Sequence, residues 1–138
     1  MKVYLSVPLI KNRNKRVARA IASVIEELGH ELISTWVLED IHSQNLNIFE
    51  RDTKGVRAAD ILIADVTKPS TGVGMEVMLA HTLGKPVVLV AKRESSISRM
   101  LLHMEKKKII EFEKIGEMKE MLKRELIGMA DYEADKLQ

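Results

Sequence analysis

An open α/β sheet of parallel strands, wound with helices on both faces, is the fold this sequence predicts, on three observations. Short β-branched runs alternate with longer stretches of helical periodicity along the whole chain. Two of those runs, Asp60 to Val66 and Pro86 to Ala91, are almost wholly apolar, as strands covered on both faces must be. Glycines stand where helical stretches stop, at Gly29 and Gly84, and let the backbone turn back toward a sheet.

The elements follow in order. Val3 to Leu9 reads as the first strand. From residue 14 to 28, Val17, Ile21, Ile25 and Leu28 recur at helical spacing. Glu31 to Val37 reads as the second strand, and residues 44 to 58 as a helix weakened by Asn and Asp. Asp60 to Val66 is the third strand. The segment PSTGVGMEVMLAHTLGK is then a glycine-containing turn and a helix that closes at Gly84. Pro86 to Ala91 is the fourth strand, residues 95 to 104 a short helix, Lys108 to Phe112 the last strand, and about 115 to 128 a final helix. The end, MADYEADKLQ, is polar enough to be loose unless a partner or ligand holds it.

Five strands with intervening helices give a flavodoxin-like, open doubly wound five-stranded parallel sheet, order 2-1-3-4-5, in one domain spanning 1–138. In such sheets the ligand crevice lies beyond the carboxyl ends of the strands, where the strand order reverses. Here that means the loops after the first and third strands.

Composition narrows the function classes. There is no cysteine, which removes thiol catalysis, cysteine zinc sites and a disulfide scaffold. Lys+Arg 22 against Asp+Glu 20 gives net +2, and aromatics are 4%, so neither a basic coat nor a stacking platform for nucleic-acid polymers is expected. No apolar run reaches the roughly 18–20 residues needed to span a bilayer. The opening MKVYLSVPLI runs into KNRNKR without a small-residue cleavage site, a strand and not a signal peptide, so a cytoplasmic protein is expected. His30, His42, His81 and His103 lack paired metal-ligand spacing, and no metal is expected. Neither a P-loop nor a G-x-G-x-x-G follows the first strand, and aromatics to sandwich a flavin are few; no cofactor is expected.

The loop after the third strand carries the strongest chemistry. Gly72 and Gly74 at a helix entrance let a ligand approach the backbone, where free amides point outward. Glu76 is expected in the first turn of a helix that Met75, Val77, Met78, Leu79 and Ala80 make apolar almost all round, and therefore buried. Burial raises such a carboxyl's pKa while the helix amides favour its anion, and a poorly solvated carboxylate is a competent nucleophile. Position alone leaves open the ordinary preference of Glu for helix starts. Asp52, on the preceding helix, reads by position as a solvated surface acid, and Asp65 as a residue that satisfies turn amides. Lys11, Arg13, Lys15 and Arg16 cluster after the first strand, where an anionic ligand would offset the helix dipole, although a hydrated basic face fits as well. The run Lys106, Lys107, Lys108 reads as solvation. The methionines near 75–78, 100–104 and 118–121 read as core filling or a dimer face.

The block ADILIADVTKPSTGVGMEVMLAHTLGKPVVLV, with Phe49-Glu50-Arg51-Asp52 upstream, resembles the 2'-deoxynucleoside 5'-phosphate N-hydrolase (Rcl) family, relatives of the nucleoside 2-deoxyribosyltransferases. The resemblance runs from about residue 2 to 104 and is most specific in P-S-x-G-V-G-x-E. It implies a nucleophile at Glu76, an active-site aspartate at Asp52, a phosphate-site hydroxyl at Ser70 and the strand-one tyrosine at Tyr4. A serine given by the neighbouring subunit matches Ser98, which implies a homodimer, with the Met-rich helix at 100–104 as a contact face. The family's G-S-I-R-G-G loop is here Val7-Pro8-Leu9-Ile10-Lys11-Asn12, without the arginine, so Lys11 or Arg13 is expected to supply the cation, with Gly72 and Gly74 lining the substrate site. The implied reaction is hydrolysis of the N-glycosidic bond of 2'-deoxynucleoside 5'-monophosphates through a glycosyl-enzyme intermediate, with a small-molecule deoxynucleotide as the partner. The alternatives are a deoxyribosyltransferase that exchanges bases and a non-catalytic nucleotide-binding module.

Overall fold

A computed structural model describes residues 1–40 and 46–136 of the chain. Its strands are β1 (Lys2–Ser6), β2 (Glu31–Leu32), β3 (Ile61–Asp65), β4 (Val87–Lys92) and β5 (Lys107–Phe112). They form one sheet in the order β2-β1-β3-β4-β5, every neighbouring pair parallel, which is the expected topology. Helices α1 (Arg16–Glu27), α2 (Ile48–Ala58), α3 (Thr71–Thr82), α4 (Arg99–His103) and α5 (Ile115–Lys136) connect and cover it.

The period of two along each strand divides the core between two faces. Val3, Leu5, Ile61, Ile63, Val88 and Val90 pack against Ile21 and Ile25 of α1 and Met118, Leu122 and Leu126 of α5. Tyr4, Leu62, Ala64, Leu89 and Ala91 point the other way, onto Val56 of α2 and Val73, Val77 and Ala80 of α3. Tyr4 therefore faces α2 and α3, and so by the same alternation does Ser6, a buried polar residue at the end of β1.

Several boundaries differ from the sequence reading, each for a local reason. β1 stops at Ser6 and not Leu9, because Pro8 has no N–H to give a ladder. β2 is only two residues long, and the chain then coils into a 3-10 turn over Thr35–Leu38 where the sequence suggests more strand. Ser34 accounts for the change: its buried Oγ accepts from Leu5 N at 2.7 Å and donates to Leu5 O at 2.8 Å, replacing the backbone pairing a longer strand would make. α2 begins at Ile48, where Asn47 caps it by accepting from Glu50 N at 3.0 Å; the expected start at residue 44 lies outside the described residues, as does His42. The short helix near 95–104 contracts to α4. The C-terminal segment, expected to be loose, is helical as far as Lys136, with Lys136 in range of Glu133 at 3.8 Å and of the Tyr132 ring at 4.6 Å.

α3 is not buried all round. Met75 and Met78 are 56% and 53% exposed, and Met100 on α4 is 80% exposed, so the two helices present a shared apolar surface. Among the described residues no helix is long and apolar enough to cross a membrane.

Candidate active site

At the carboxyl ends of β1 and β3, where the strand order reverses, a cavity of about 480 Å³ opens between α2 and α3. Arg51, Asp52, Ser70, Glu76 and Trp36 all contribute to its wall.

α2 reaches the site because it lies very close to the sheet. A β-carbon on Gly55 would stand 2.8 Å from Cε2 of Tyr4 and 3.3 Å from Cη2 of Trp36, so a larger residue would lift the helix or displace both rings. Tyr4 and Trp36 meet edge to face, with centroids 6.1 Å apart. The other end of α2 is held by Lys85, whose ammonium donates to Val56 O at 3.0 Å and also to the carbonyls of Arg57 and Ala59. Anchored at both points, α2 turns Asp52 inward; the residue is buried and 8% exposed, where position alone suggests a surface acid. Arg51 Nε donates to Asp52 Oδ1 at 2.8 Å, and its guanidinium lies 4.4 Å from the centroid of the Trp36 ring.

α3 supplies the opposite wall. Ser70 caps it, its Oγ accepting from Val73 N at 3.3 Å, so the hydroxyl proton remains available to an anion. Because the helix begins at Thr71, Glu76 falls in its second turn and not the first, with its side chain leaning back toward the helix start. Burial, the largest influence, pushes the Glu76 carboxyl up to about 7; the nearby Asp52 adds to the rise, while the Tyr4 and Ser6 hydroxyls and Arg51 oppose it. Even so, Glu76 Oε2 and Ser6 Oγ are each buried without a partner at hydrogen-bonding geometry. Burial and the facing Glu76 push the Tyr4 phenol far up, so it stays a proton donor. The assembly is thus a desolvated carboxyl with a phenol beneath it, an ion-paired aspartate across from it and a helix-start hydroxyl beside it. That set can present a carboxylate to an electrophilic carbon and hold an anion a short distance away.

Of the residues singled out from sequence, Val7, Asp52, Ser70, Gly72 and Glu76 line the cavity, and Tyr4 reaches it through Glu76. The cation expected from the loop after β1 is not in the wall. Arg13 donates to the Val37 carbonyl instead, with burial lowering its pKa, and Lys11 is exposed. Pro8 also lies outside the lining. Gly74 is already inside the helix, its N–H given to Ser70 O at 3.1 Å, and with Ser98 it lines a separate groove beside Met75, Met78 and Met100. Asp65 accepts from Thr67 N at 3.0 Å, the turn role read from sequence. Sequence position alone gives Arg51, Trp36 and Gly55 no role in the site. Gly55, an isolated glycine inside a helical pattern, is the one signal of a close approach. Among the described residues no group of His, Asp and Glu could hold a metal ion.

Comparison with known proteins gives a consistent picture. A family model described as nucleoside 2-deoxyribosyltransferase matches residues 3–129. The chain is 31% identical over 141 aligned positions to the Thermofilum pendens protein named "Putative 2'-deoxynucleoside 5'-phosphate N-hydrolase 1", covering 95% of this chain and 99% of that one. It is 46% identical over 48 residues to the 5-hydroxymethyl-dUMP N-hydrolase of Mus musculus, a match covering 35% of this chain and 28% of that one. Among solved structures, the fold resembles the Clostridium botulinum CMP N-glycosidase BcmB with a TM-score of 0.68 at 19% identity, over 88% of this chain and 98% of that one. It also resembles a 2-deoxyribosyltransferase from Bacillus psychrosaccharolyticus with a TM-score of 0.65 at 23% identity, over 86% and 90% of the two chains.

Proposed function

The chain belongs to the nucleoside 2-deoxyribosyltransferase family, and from that premise we propose that it is an N-glycosidase hydrolysing 2'-deoxynucleoside 5'-monophosphates to a free base and deoxyribose 5-phosphate. The observation that carries this reading is Glu76: a carboxyl desolvated enough to titrate near neutrality, in the wall of a sugar-sized cavity shared with Asp52. The N-hydrolase names of its relatives favour water over a second base as the acceptor.

In this reading the Glu76 carboxylate attacks C1'. A bond forms between its oxygen and C1' as the C1'–N bond breaks, and the electron pair leaves with the base. Asp52 positions the sugar and assists protonation of the departing nitrogen. Water then adds to C1', the ester bond breaks, the carboxylate is regenerated, and the proton that water gives up replaces the one the departing base took. Without a 2'-hydroxyl, the oxocarbenium-like transition state is easier to reach. The Ser70 hydroxyl and the amides at the start of α3 hold the phosphate, Gly72 leaving them open to it. Replacing Glu76→Ala should lower base release from deoxynucleoside monophosphates by about a thousandfold or more, with the fold retained. A folded variant that turns over like the parent overturns the assignment.

The family description favours one further reading, a transferase in which a second base intercepts the ester. Supplying one deoxynucleotide with a different free base separates the two, since only a transferase yields the exchanged product. A homodimer belongs to the same proposal: the apolar groove of Met75, Met78 and Met100 carries Ser98 beside the Ser70 end of α3, a face suited to a second copy. Light scattering on the purified chain tests it. A cytoplasmic location goes with a substrate class formed there.

A further inference from the structure

We propose that Arg51 reads the departing base, and that the base it selects carries two adjacent hydrogen-bond acceptors on one edge, the O6 and N7 of a 6-oxopurine. This rests on the reading of the cavity as an N-glycosidase site.

Two contacts fix the guanidinium. One face lies on the Trp36 ring, at 4.4 Å from its centroid. Its Nε edge is taken by Asp52 Oδ1 at 2.8 Å. The outer edge, with both terminal nitrogens, has no hydrogen-bonding partner among the described residues, and the residue lines the cavity. What remains is a planar two-donor fork, held in place on one side and open on the other. Such a fork fits two acceptors in one plane. Guanine presents that pair at O6 and N7, whereas adenine sets a donor at N6 beside the N7 acceptor.

Two candidate ligands fit a fork of donors, the 5'-phosphate and the base, and its position favours the base. The phosphate cradle is at Ser70 and the start of α3 on one wall; Arg51 is on α2, bonded to the aspartate that assists the leaving nitrogen. As the C1'–N bond breaks, negative charge spreads onto the ring nitrogen and the exocyclic oxygen that the fork faces. The same two N–H groups therefore bind the base and stabilise its departure.

The test compares kcat/KM for dGMP, dIMP and dAMP, and for the corresponding deoxynucleosides, in the parent, in Arg51→Gln and in Arg51→Lys. The parent should prefer dGMP and dIMP over dAMP by about tenfold or more. Both variants should bring that ratio close to one by losing dGMP and dIMP turnover, since lysine keeps the charge but not the planar fork. An unchanged ratio overturns the proposal. So does an equal loss for every base, which marks a residue that only holds Asp52, or a loss confined to monophosphates over deoxynucleosides, which marks a phosphate ligand. If the parent releases no base from any nucleotide, the N-glycosidase reading fails by itself. Thermal shift with free guanine and free adenine then still decides the role of Arg51: guanine must raise the melting temperature of the parent and not of Arg51→Gln.

Discussion

Gly55 and Tyr4 are in such close contact that a β-carbon on the glycine would stand 2.8 Å from the tyrosine ring, nearer than packed carbons come. The obstacle is an aromatic ring wedged between a strand and Trp36, which cannot swing aside as a flexible chain would. On propensity alone, Gly55→Ala would favour α2 by ~1 kcal/mol. Overpacking costs about 1–3 kcal/mol and should win, giving a variant with a lower urea midpoint. Its activity should fall further than its stability, because the displaced ring is the one beneath Glu76. A variant more stable than the parent would contradict the packing seen here.

Glu76 should make activity and stability depend on pH in opposite directions. Only the anion attacks, so kcat/KM should climb as pH rises through about 7, where burial has placed the carboxyl. Stability runs the other way. The folded carboxyl holds its proton up to about 7 while the unfolded one releases it near 4.5, so the folded state weakens as pH rises across that window. Glu76→Gln has no such charge to bury. It should be more stable than the parent by about 1–3 kcal/mol near pH 8, with the advantage fading toward pH 4.5. Denaturant melts of both proteins at the two pH values check this; an advantage that grows on acidification would refute it.

Tyr4→Phe isolates one influence on that carboxyl. The phenol opposes the rise in the Glu76 pKa by donating toward the anion. Removing the hydroxyl while keeping the ring should move the acidic limb of the kcat/KM profile to higher pH, with little change at the alkaline plateau. An acidic limb left in place would mean that the phenol does not act on Glu76.

Lys85→Met should loosen α2 from below. The ammonium is partly desolvated, which lowers its pKa; it satisfies the carbonyls of Arg57 and Ala59 and shares that of Val56 with the Ala59 N–H. Methionine keeps most of the apolar stem and none of the donors. A stability loss of roughly 1–3 kcal/mol is expected, together with faster amide exchange at the end of α2. Unchanged exchange there would show that the lysine is dispensable to the helix.

The sequence by itself determined the sheet, its strand order and the end at which the site lies, because runs such as Ile61 to Ala64 and Val87 to Ala91 have no soluble solution other than burial on both faces. It also made Glu76 conspicuous, an acid among apolar neighbours behind two glycines. What the tertiary structure decided were features that depend on separate elements meeting. Asp52 reads as a surface acid until Gly55 lets α2 settle on Tyr4 and turns it inward. Trp36 reads as strand until Ser34 closes on Leu5 and coils the chain beneath Arg51. Lys11 or Arg13 reads as the site's cation until Val37 O binds Arg13 and Lys11 stands exposed, leaving Arg51 in the cavity wall. Periodicity reports which face of an element is buried; which charge lies opposite which across a cavity depends on how closely two elements approach.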